Sequence, residues 1–457
     1  MDLKDKKVLV VGLGKSGMAA YELLRQIGAD VSLYDGNPDV EIGEIDVPLY
    51  RGTFPQQQFA ALDCAVFSPG VPLDIPLAAF LRENGVPVIG EIELAYQMEQ
   101  GRVIGITGTN GKTTTTTLVG EIMKACQEHT FVVGNIGNPY TLEASKTSPD
   151  SVTVAEISSF QLETIRDFAP DVSAILNITP DHLNRHGTME NYINTKMSIT
   201  RNQGRDQLCV LNYEDEVLRE RAAALPCRVA FFSSRRKPQP EQRKPVEAQE
   251  VPPCRDLYKA ANGDIVCAGT GRVLLNQKET RLPGDHNAEN IMAALIIAQE
   301  MGVPEELAVR AVRAFHPVAH RVEFVKTVSG VDYYNDSKGT NPDAAIKGIQ
   351  SMDRPTVLIG GGYDKGGSFS EWIRSFDGKV KKLLLIGETK HRIAKEADDC
   401  GFTRYEFMET LEEAVAAAHA LAEEGDAVLL SPACASWDMF KSYEQRGDRF
   451  KELVHGL

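Results

Sequence analysis

The chain has 457 residues, 42% hydrophobic and 25% charged, with a formal net charge of −15; that is length for about three domains and the composition of a soluble globular protein. Such an acidic balance excludes broad electrostatic binding to nucleic acid or to an anionic membrane, because both reward clustered Lys and Arg. No apolar run approaches the ~18 residues of a membrane span, the opening MDLKDKKVLVVGLG is too short in apolar residues for a secretory signal, and eight scattered cysteines without a Cys-x-x-Cys fit the reduced thiols of a cytoplasmic protein.

The first ~95 residues alternate short apolar runs with an amphipathic stretch: KKVLVVG, KSGMAAYELLRQIG, ADVSLYD, and later DCAVFS and VPVIG. This is the strand-helix-strand rhythm of a parallel sheet. Gly12-Leu-Gly-Lys-Ser-Gly17 is a complete G-x-G-x-x-G that follows a strand and opens a helix, and Asp35 closes the next strand. Glycines there let a diphosphate approach the backbone, and the acid is placed for a pair of hydroxyls. The loop alone does not say whether the diphosphate belongs to NAD or to another nucleotide. Glycines that merely permit a tight turn are the plainer alternative.

A second unit begins at RVIGITG (102–108) and carries SVTVAEISS, VSAILNIT and DQLCVLN, apolar runs expected to form buried strands. Residues 234–253, rich in Pro, Arg, Gln and Glu, read as an exposed loop inside it. The stretch ITGTNGKTT (106–114) ends like a phosphate-binding loop, but Ile106 stands where that pattern has its first Gly. It follows a strand and leads into a helix with Leu118, Ile122 and Ala125 at helical spacing, so backbone N–H groups and the positive helix end face an anion. The candidate phosphate cradle is Gly108, Thr109, Asn110, Gly111, Lys112, Thr113 and Thr114, with Lys112 bridging the outer phosphates and the Thr113 hydroxyl suited to Mg²⁺. Glu156 and Asp181-His182 follow two further strands of this unit; oxygen donors suit Mg²⁺, whereas His182 by itself suggests Mn²⁺ or Zn²⁺. Lys196, in NTKMSIT, reads by itself as a solvated helix lysine.

From about residue 318 a third unit shows VDYYND, PTVLIGGG, KKLLLIGE and DAVLLSP as strands. Thr340-Asn341-Pro342 marks one helix start, and Thr410-Leu-Glu-Glu413 is a capping box before AVAAAHALA. The expected fold is α/β, with units at 1–95, 96–317 and 318–457.

Eight motifs then stand together in order: GTNGKTTT, GNIG (134–137), EISSFQLE (156–163), TPDHLNRHG (179–187), PGDHNAEN (283–290), HRVEF (320–324), NDSKGTNPDA (335–344) and SPACASWDMFKSYEQRGDRF (431–450). They resemble the Mur ligases over nearly the whole chain, and with GLGKSG the last two look like the D-glutamate-adding branch. The resemblance implies an N-terminal Rossmann-like UDP-binding domain, a central P-loop ATPase domain and a C-terminal Rossmann-like domain that closes and binds the amino acid. It also implies ATP and two Mg²⁺ ions with Mn²⁺ as an alternative, the substrates UDP-N-acetylmuramoyl-L-alanine and D-glutamate, no nucleic acid, and a cytoplasmic monomer.

Carried over residue by residue, Lys112 and Thr113 would hold the β/γ-phosphates and a first Mg²⁺ that Glu156 also serves. His182 and a carbamylated Lys196 would flank the transferring phosphoryl group at a second. Asn287 and Asn290 would meet the adenine side, and Arg321, Asp336 and Lys338 would reach ATP. Gly14, Lys15 and Ser16 would cradle the UDP diphosphate, with Asp35 at the uracil or ribose end, Ser68 and Gly70 lining the same site, and Asn135 near the reacting end. Thr340, Lys365, Ser436 and Tyr443 would face the carboxylates of D-glutamate. Two other classes remain open on the residues: an NAD-dependent oxidoreductase, and a nucleotide-dependent switch without chemistry.

Overall fold

The computed structural model describes residues 2–239, 255–316, 319–352, 354–364 and 368–457; Lys365 and residues 240–253 of the Pro-rich segment lie outside them. The chain forms two compact units, residues 1–279 with 289–315, and residues 280–288 with 316–457. The first contains two sheets and the second contains one.

In the first sheet β1 (Lys7–Val11), β2 (Asp30–Asp35), β3 (Leu49–Arg51), β4 (Cys64–Phe67) and β5 (Val88–Gly90) run parallel in the order β3-β2-β1-β4-β5. Alternate residues of β1 enter different cores: Val8 and Val10 pack with Leu24 and Leu33, Leu9 and Val11 with Phe59 and Leu81. A strand covered on both faces has no polar side to show, which is why it reads as one apolar run. The chain leaves β1 for β2 on one side and returns to β4 on the other, so a crevice opens beyond the carboxyl end of β1.

The second sheet repeats this logic. Its strands β6 (Arg102–Thr107), β7 (Thr130–Gly134), β8 (Val152–Glu156), β9 (Val172–Ile175), β10 (Leu208–Asn212), β11 (Arg228–Ser233), β12 (Leu257–Lys259), β13 (Asp264–Cys267) and β14 (Val273–Asn276) lie in the order β14-β13-β12-β11-β10-β9-β6-β8-β7. All pair in parallel except the edge formed by β12, β13 and β14. The switch point is at β6, flanked by β8 and β9.

In the second unit β15 (Glu323–Val328) and β16 (Val331–Asn335) form an antiparallel hairpin, and β16 continues in parallel through β20 (Ala427–Leu430), β17 (Thr356–Gly361), β18 (Val380–Ile386) and β19 (Tyr405–Phe407).

Every apolar run read as a strand forms one, and the two glycine loops lead into the helices Lys15–Gln26 and Lys112–Lys124. The caps differ in detail. At Thr340-Asn341-Pro342 the cap is Asn341, which accepts from Ala344 N at 2.7 Å, with Pro342 in the first turn as expected. Thr410 accepts from Glu413 N at 3.1 Å, but the Glu413 carboxylate accepts from Glu409 N rather than from Thr410 N, so only half the expected box forms. A reciprocal box closes instead at Ser158 and Gln161. Among the described residues no helix is long and apolar enough to cross a membrane.

Candidate active site

The three glycines of the first loop do different work. Gly12 has φ +85°, and a Cβ there would lie 2.5 Å from Val71 Cγ2; one on Gly17 would lie 1.9 Å from the Gly12 carbonyl oxygen. Gly14 faces open space, so its missing side chain leaves room for a ligand rather than for the fold. Both Asp35 oxygens accept backbone N–H groups, from Leu13 and Asn37, each at 2.8 Å, and Ser68 Oγ donates to the Gly12 carbonyl at 2.6 Å. Asp35 and Ser68 thus brace the turn from the two strands beside β1. Gly12, Asp35, Gly36, Thr53, Phe54, Gly70 and Val71 line a cleft of about 630 Å³ there. Lys15 and Ser16 open the helix, and Lys15 Nζ reaches across to the Gly137 carbonyl of GNIG, 2.9 Å away.

The second loop sits at the switch point of its own sheet. Gly108 and Gly111 have φ +149° and +84°, backbone states in which a β-carbon is strained. A Cβ on Gly111 would also lie 2.5 Å from Asn290 Oδ1, which accepts from Thr115 Oγ1 at 3.1 Å. The segment after β9 is laced to the loop: Asn177 Oδ1 accepts from Asn110 N at 2.8 Å, Asn177 Nδ2 donates to Asn110 O at 3.1 Å, and Thr179 N donates to Thr109 Oγ1 at 3.0 Å. Ile106 is buried inside β6, pairing with Glu156 and Ala174; its place calls for an apolar strand residue, and the turn starts two residues later. Lys112 Nζ donates to the carbonyls of Gly108 and Thr109, 2.9 Å each.

Lys196 departs from its sequence reading as a solvated lysine. It is 2% exposed, donates to the Gly108 carbonyl at 2.9 Å and lies 4.7 Å from the Tyr192 ring centroid. Burial pushes its amine well below the ordinary lysine range and Lys112 repels it further, against smaller pulls from Asp181 and Glu156. Glu156 ends β8, fully buried; Asn135 Nδ2 donates to its Oε1 at 2.9 Å, and among the described residues no donor reaches Oε2. An unpartnered buried carboxylate oxygen near a phosphate cradle suits a divalent cation. Among the described residues no three His, Cys, Asp or Glu side chains converge, and Mg²⁺ is commonly held by one or two carboxylates with substrate phosphates. His182, at φ +52°, caps the short helix Leu183–His186 with its ring 45% exposed and 4.9 Å from Phe160.

In the second unit the functional candidates gather beyond the carboxyl ends of β16 and β20. Asp336 is buried, accepts from Ser431 Oγ at 2.7 Å and from Val322 N at 3.3 Å, and burial raises its carboxyl to about 7 despite Arg321 and Arg446. Lys338 Nζ lies 5.2 Å from the Tyr443 ring centroid. Asn287 donates to the Pro283 carbonyl at 2.7 Å. Ser436 is buried in the loop after β20, and Thr340 donates its N–H to Lys338 O. Arg446, which sequence reasoning passed over, is 1% exposed and binds Ser337 Oγ, Ser337 O, Cys434 O and Ala435 O. It ties the β16 and β20 loops to the helix Tyr443–His455. Asn177, Tyr192 and Arg446 were missed for one reason: their work is visible only from what they touch.

A Rossmann-type crevice and a phosphate-binding loop at the switch point of a second sheet lie in one unit, followed by a second α/β unit, an architecture that the family comparison assigns to ATP-dependent ligases. The chain belongs to the Mur ligase family: residues 6–90 match the MurD-like N-terminal domain of Mur ligases, 106–298 the Mur ligase middle domain, and 320–434 the Mur ligase glutamate ligase domain. It is 49% identical to a UDP-N-acetylmuramoylalanine--D-glutamate ligase of Lachnospira eligens, across the full length of both chains. A protein of that name from Lachnoclostridium phytofermentans is also 49% identical, covering 100% of this chain and 99% of its own. The fold matches the UDP-N-acetylmuramate-alanine ligase MurC of Thermotoga maritima (TM-score 0.59, 18% identity, 99% of each chain) and MurF ligase of the same organism in complex with ADP (TM-score 0.58, 16% identity, 100% and 96%).

Proposed function

We propose that the chain joins D-glutamate to UDP-N-acetylmuramoyl-L-alanine at the expense of ATP, as a cytoplasmic monomer. The L-alanyl carboxylate is a poor electrophile with a poor leaving group. Its oxygen attacks the γ-phosphorus of ATP, the bond to ADP breaks, and an acyl phosphate forms. The amine of D-glutamate attacks that carbonyl, loses its proton, and the tetrahedral adduct expels inorganic phosphate.

The observation that supports this reading best is Lys196, a lysine buried at the Gly108 carbonyl beside Lys112. Burial and Lys112 both disfavour the charged amine, which eases addition of CO₂ with loss of a proton, and the resulting carbamate would replace a repelled cation with an oxygen donor. Thr113, Glu156, His182 and carbamylated Lys196 are the proposed holders of two Mg²⁺ ions, with Mn²⁺ as an alternative. When bound, such ions neutralise charge on the phosphates and on the transferring group. Lys112 and the N–H groups of Gly108 to Thr114 hold the phosphates. Asn287 and Asn290 serve adenine, and Arg321, Asp336 and Lys338 serve ATP. Gly14, Lys15, Ser16, Asp35, Ser68 and Gly70 hold UDP, Asn135 orients the reacting end, and Thr340, Lys365, Ser436 and Tyr443 hold D-glutamate.

An ADP-release assay with UDP-N-acetylmuramoyl-L-alanine and single amino acids tests the reading. Turnover with D-glutamate alone supports it; turnover only with another amino acid refutes the substrate.

A further inference from the structure

Two motifs of the first unit meet at a residue that the proposed chemistry does not use. Arg185 lies in TPDHLNRHG, three positions after His182. Its guanidinium forks onto Glu163, with Nη2 2.6 Å from Oε2 and Nε 3.3 Å from Oε1, and only 14% and 15% of the two side chains are exposed. The same Nη2 donates to the Val71 carbonyl at 3.1 Å, and the guanidinium carbon lies 4.6 Å from the centroid of the Phe160 ring.

Each contact leads to a different part of the unit. Val71 belongs to the loop after β4 of the first sheet: it follows Ser68 and Gly70, lines the 630 Å³ cleft with Asp35, and its Cγ2 stands 2.5 Å from where a Cβ on Gly12 would lie. Phe160 belongs to the short helix Ser159–Leu162 that follows β8 of the second sheet, and its ring centroid lies 4.9 Å from that of His182. Glu163 fixes the guanidinium plane, and its Oε1 is also 3.6 Å from His186 Nδ1, whose other nitrogen bonds Ser159 Oγ at 3.0 Å. A planar fork paired with a carboxylate and stacked on an aromatic ring has one orientation, and a lysine cannot reproduce it.

We infer that Arg185, clamped by Glu163, is a positioning residue: it fixes the Val71 wall of the first-sheet cleft relative to the Phe160–His182 pair, so that a ligand seated in the cleft presents its reacting end to His182 in one register. This deepens the UDP-sugar reading and rests on it for the identity of the ligand. Arg185 touches neither reacting atom in this account. Its contribution is alignment, for which a displacement of an ångström can cost about 10²-fold in rate.

Steady-state kinetics on the full chain separate alignment from stability. Arg185→Met and Glu163→Gln are expected to lower kcat by about 10–100-fold while KM for ATP stays within about twofold. Arg185→Lys should recover only part, because a single ammonium cannot serve Val71 and Glu163 in the fork geometry. Kinetics unchanged in Arg185→Met and Glu163→Gln, whatever the melting temperature, would overturn the inference, as would a KM for ATP that rises as much as kcat falls. A second readout needs no turnover: the His182 imidazole NMR signal, assigned with His182→Gln, should shift when UDP is added to the unsubstituted protein and not in Arg185→Met. Glu163→Gln, nearly isosteric, serves if Arg185→Met does not fold. The same His182 response to UDP with and without the clamp refutes the coupling even if the ligase reading stands. Absence of turnover with an intact, clamp-dependent His182 response would instead count against the ligase reading alone.

Discussion

Lys112 and Lys196 donate to the same acceptor, the carbonyl oxygen of Gly108, each at 2.9 Å. Two ammonium groups on one oxygen repel, and the buried partner is the one whose charge is suppressed. Lys196→Ala should therefore lower kcat by about 10²–10³-fold, the scale of losing one fixed electrostatic group in a water-excluded site, with partial recovery on adding formate or acetate. Acidification protonates the amine and disfavours the carbamate, so activity in CO₂-depleted buffer should fall more steeply at pH 6 than at pH 8. A variant that no short carboxylate rescues would remove the support for carbamylation.

The glycines of the first loop separate fold from ligand. Gly17→Ala puts a carbon 1.9 Å from the Gly12 oxygen and should destabilise the first unit by about 1–3 kcal/mol, as overpacking does. Gly14→Ala meets nothing within 4 Å, at φ −72°, so its melting temperature should match the parent while KM for the UDP substrate rises. Calorimetry and kinetics on the two variants check the contrast.

Asp336 makes the second unit sensitive to pH. Its folded value of about 7 stands above the ordinary 3.8, so the folded chain keeps a proton that the unfolded chain releases. The associated stability is fully present below about pH 4 and is lost, at of order 1 kcal/mol per pH unit, as pH rises toward 7. Asp336→Asn should flatten that slope: relative to the parent, its melting temperature should gain between pH 5 and pH 8. Parallel melting curves for the two proteins across that range would contradict the assignment.

Gly111 has a positive φ and an intruding neighbour at once. Gly111→Ala should weaken ADP binding by isothermal titration, because the left-handed backbone and the Asn290 side chain both oppose a β-carbon there. ADP binding as tight as the parent's would show that the loop accommodates the added carbon.

Strand positions and both glycine loops were legible because apolar runs and turn residues act locally. Ile106 shows the limit of motif reading: the pattern asks for Gly, while the sheet asks for an apolar residue, and the sheet decides. Lys196 was illegible for the opposite reason, since nothing in NTKMSIT distinguishes a lysine that faces solvent from one folded under Gly108. The edge strands β12 to β14 are only three or four residues long, too short for a pattern to announce them, and the Thr410 box failed in half because Glu413 found the N–H of Glu409 instead.

Arg446 reaches back 109 positions to Ser337. Until the helix Tyr443–His455 has been synthesised, the loop after β16 lacks the guanidinium that binds its carbonyl and hydroxyl, so the second unit cannot complete that loop progressively as the chain leaves the ribosome. Contacts so distant in sequence form late and slowly, and a nascent second unit halted before residue 446 would be expected to stay open to proteases at 335–341 while the first unit is already closed.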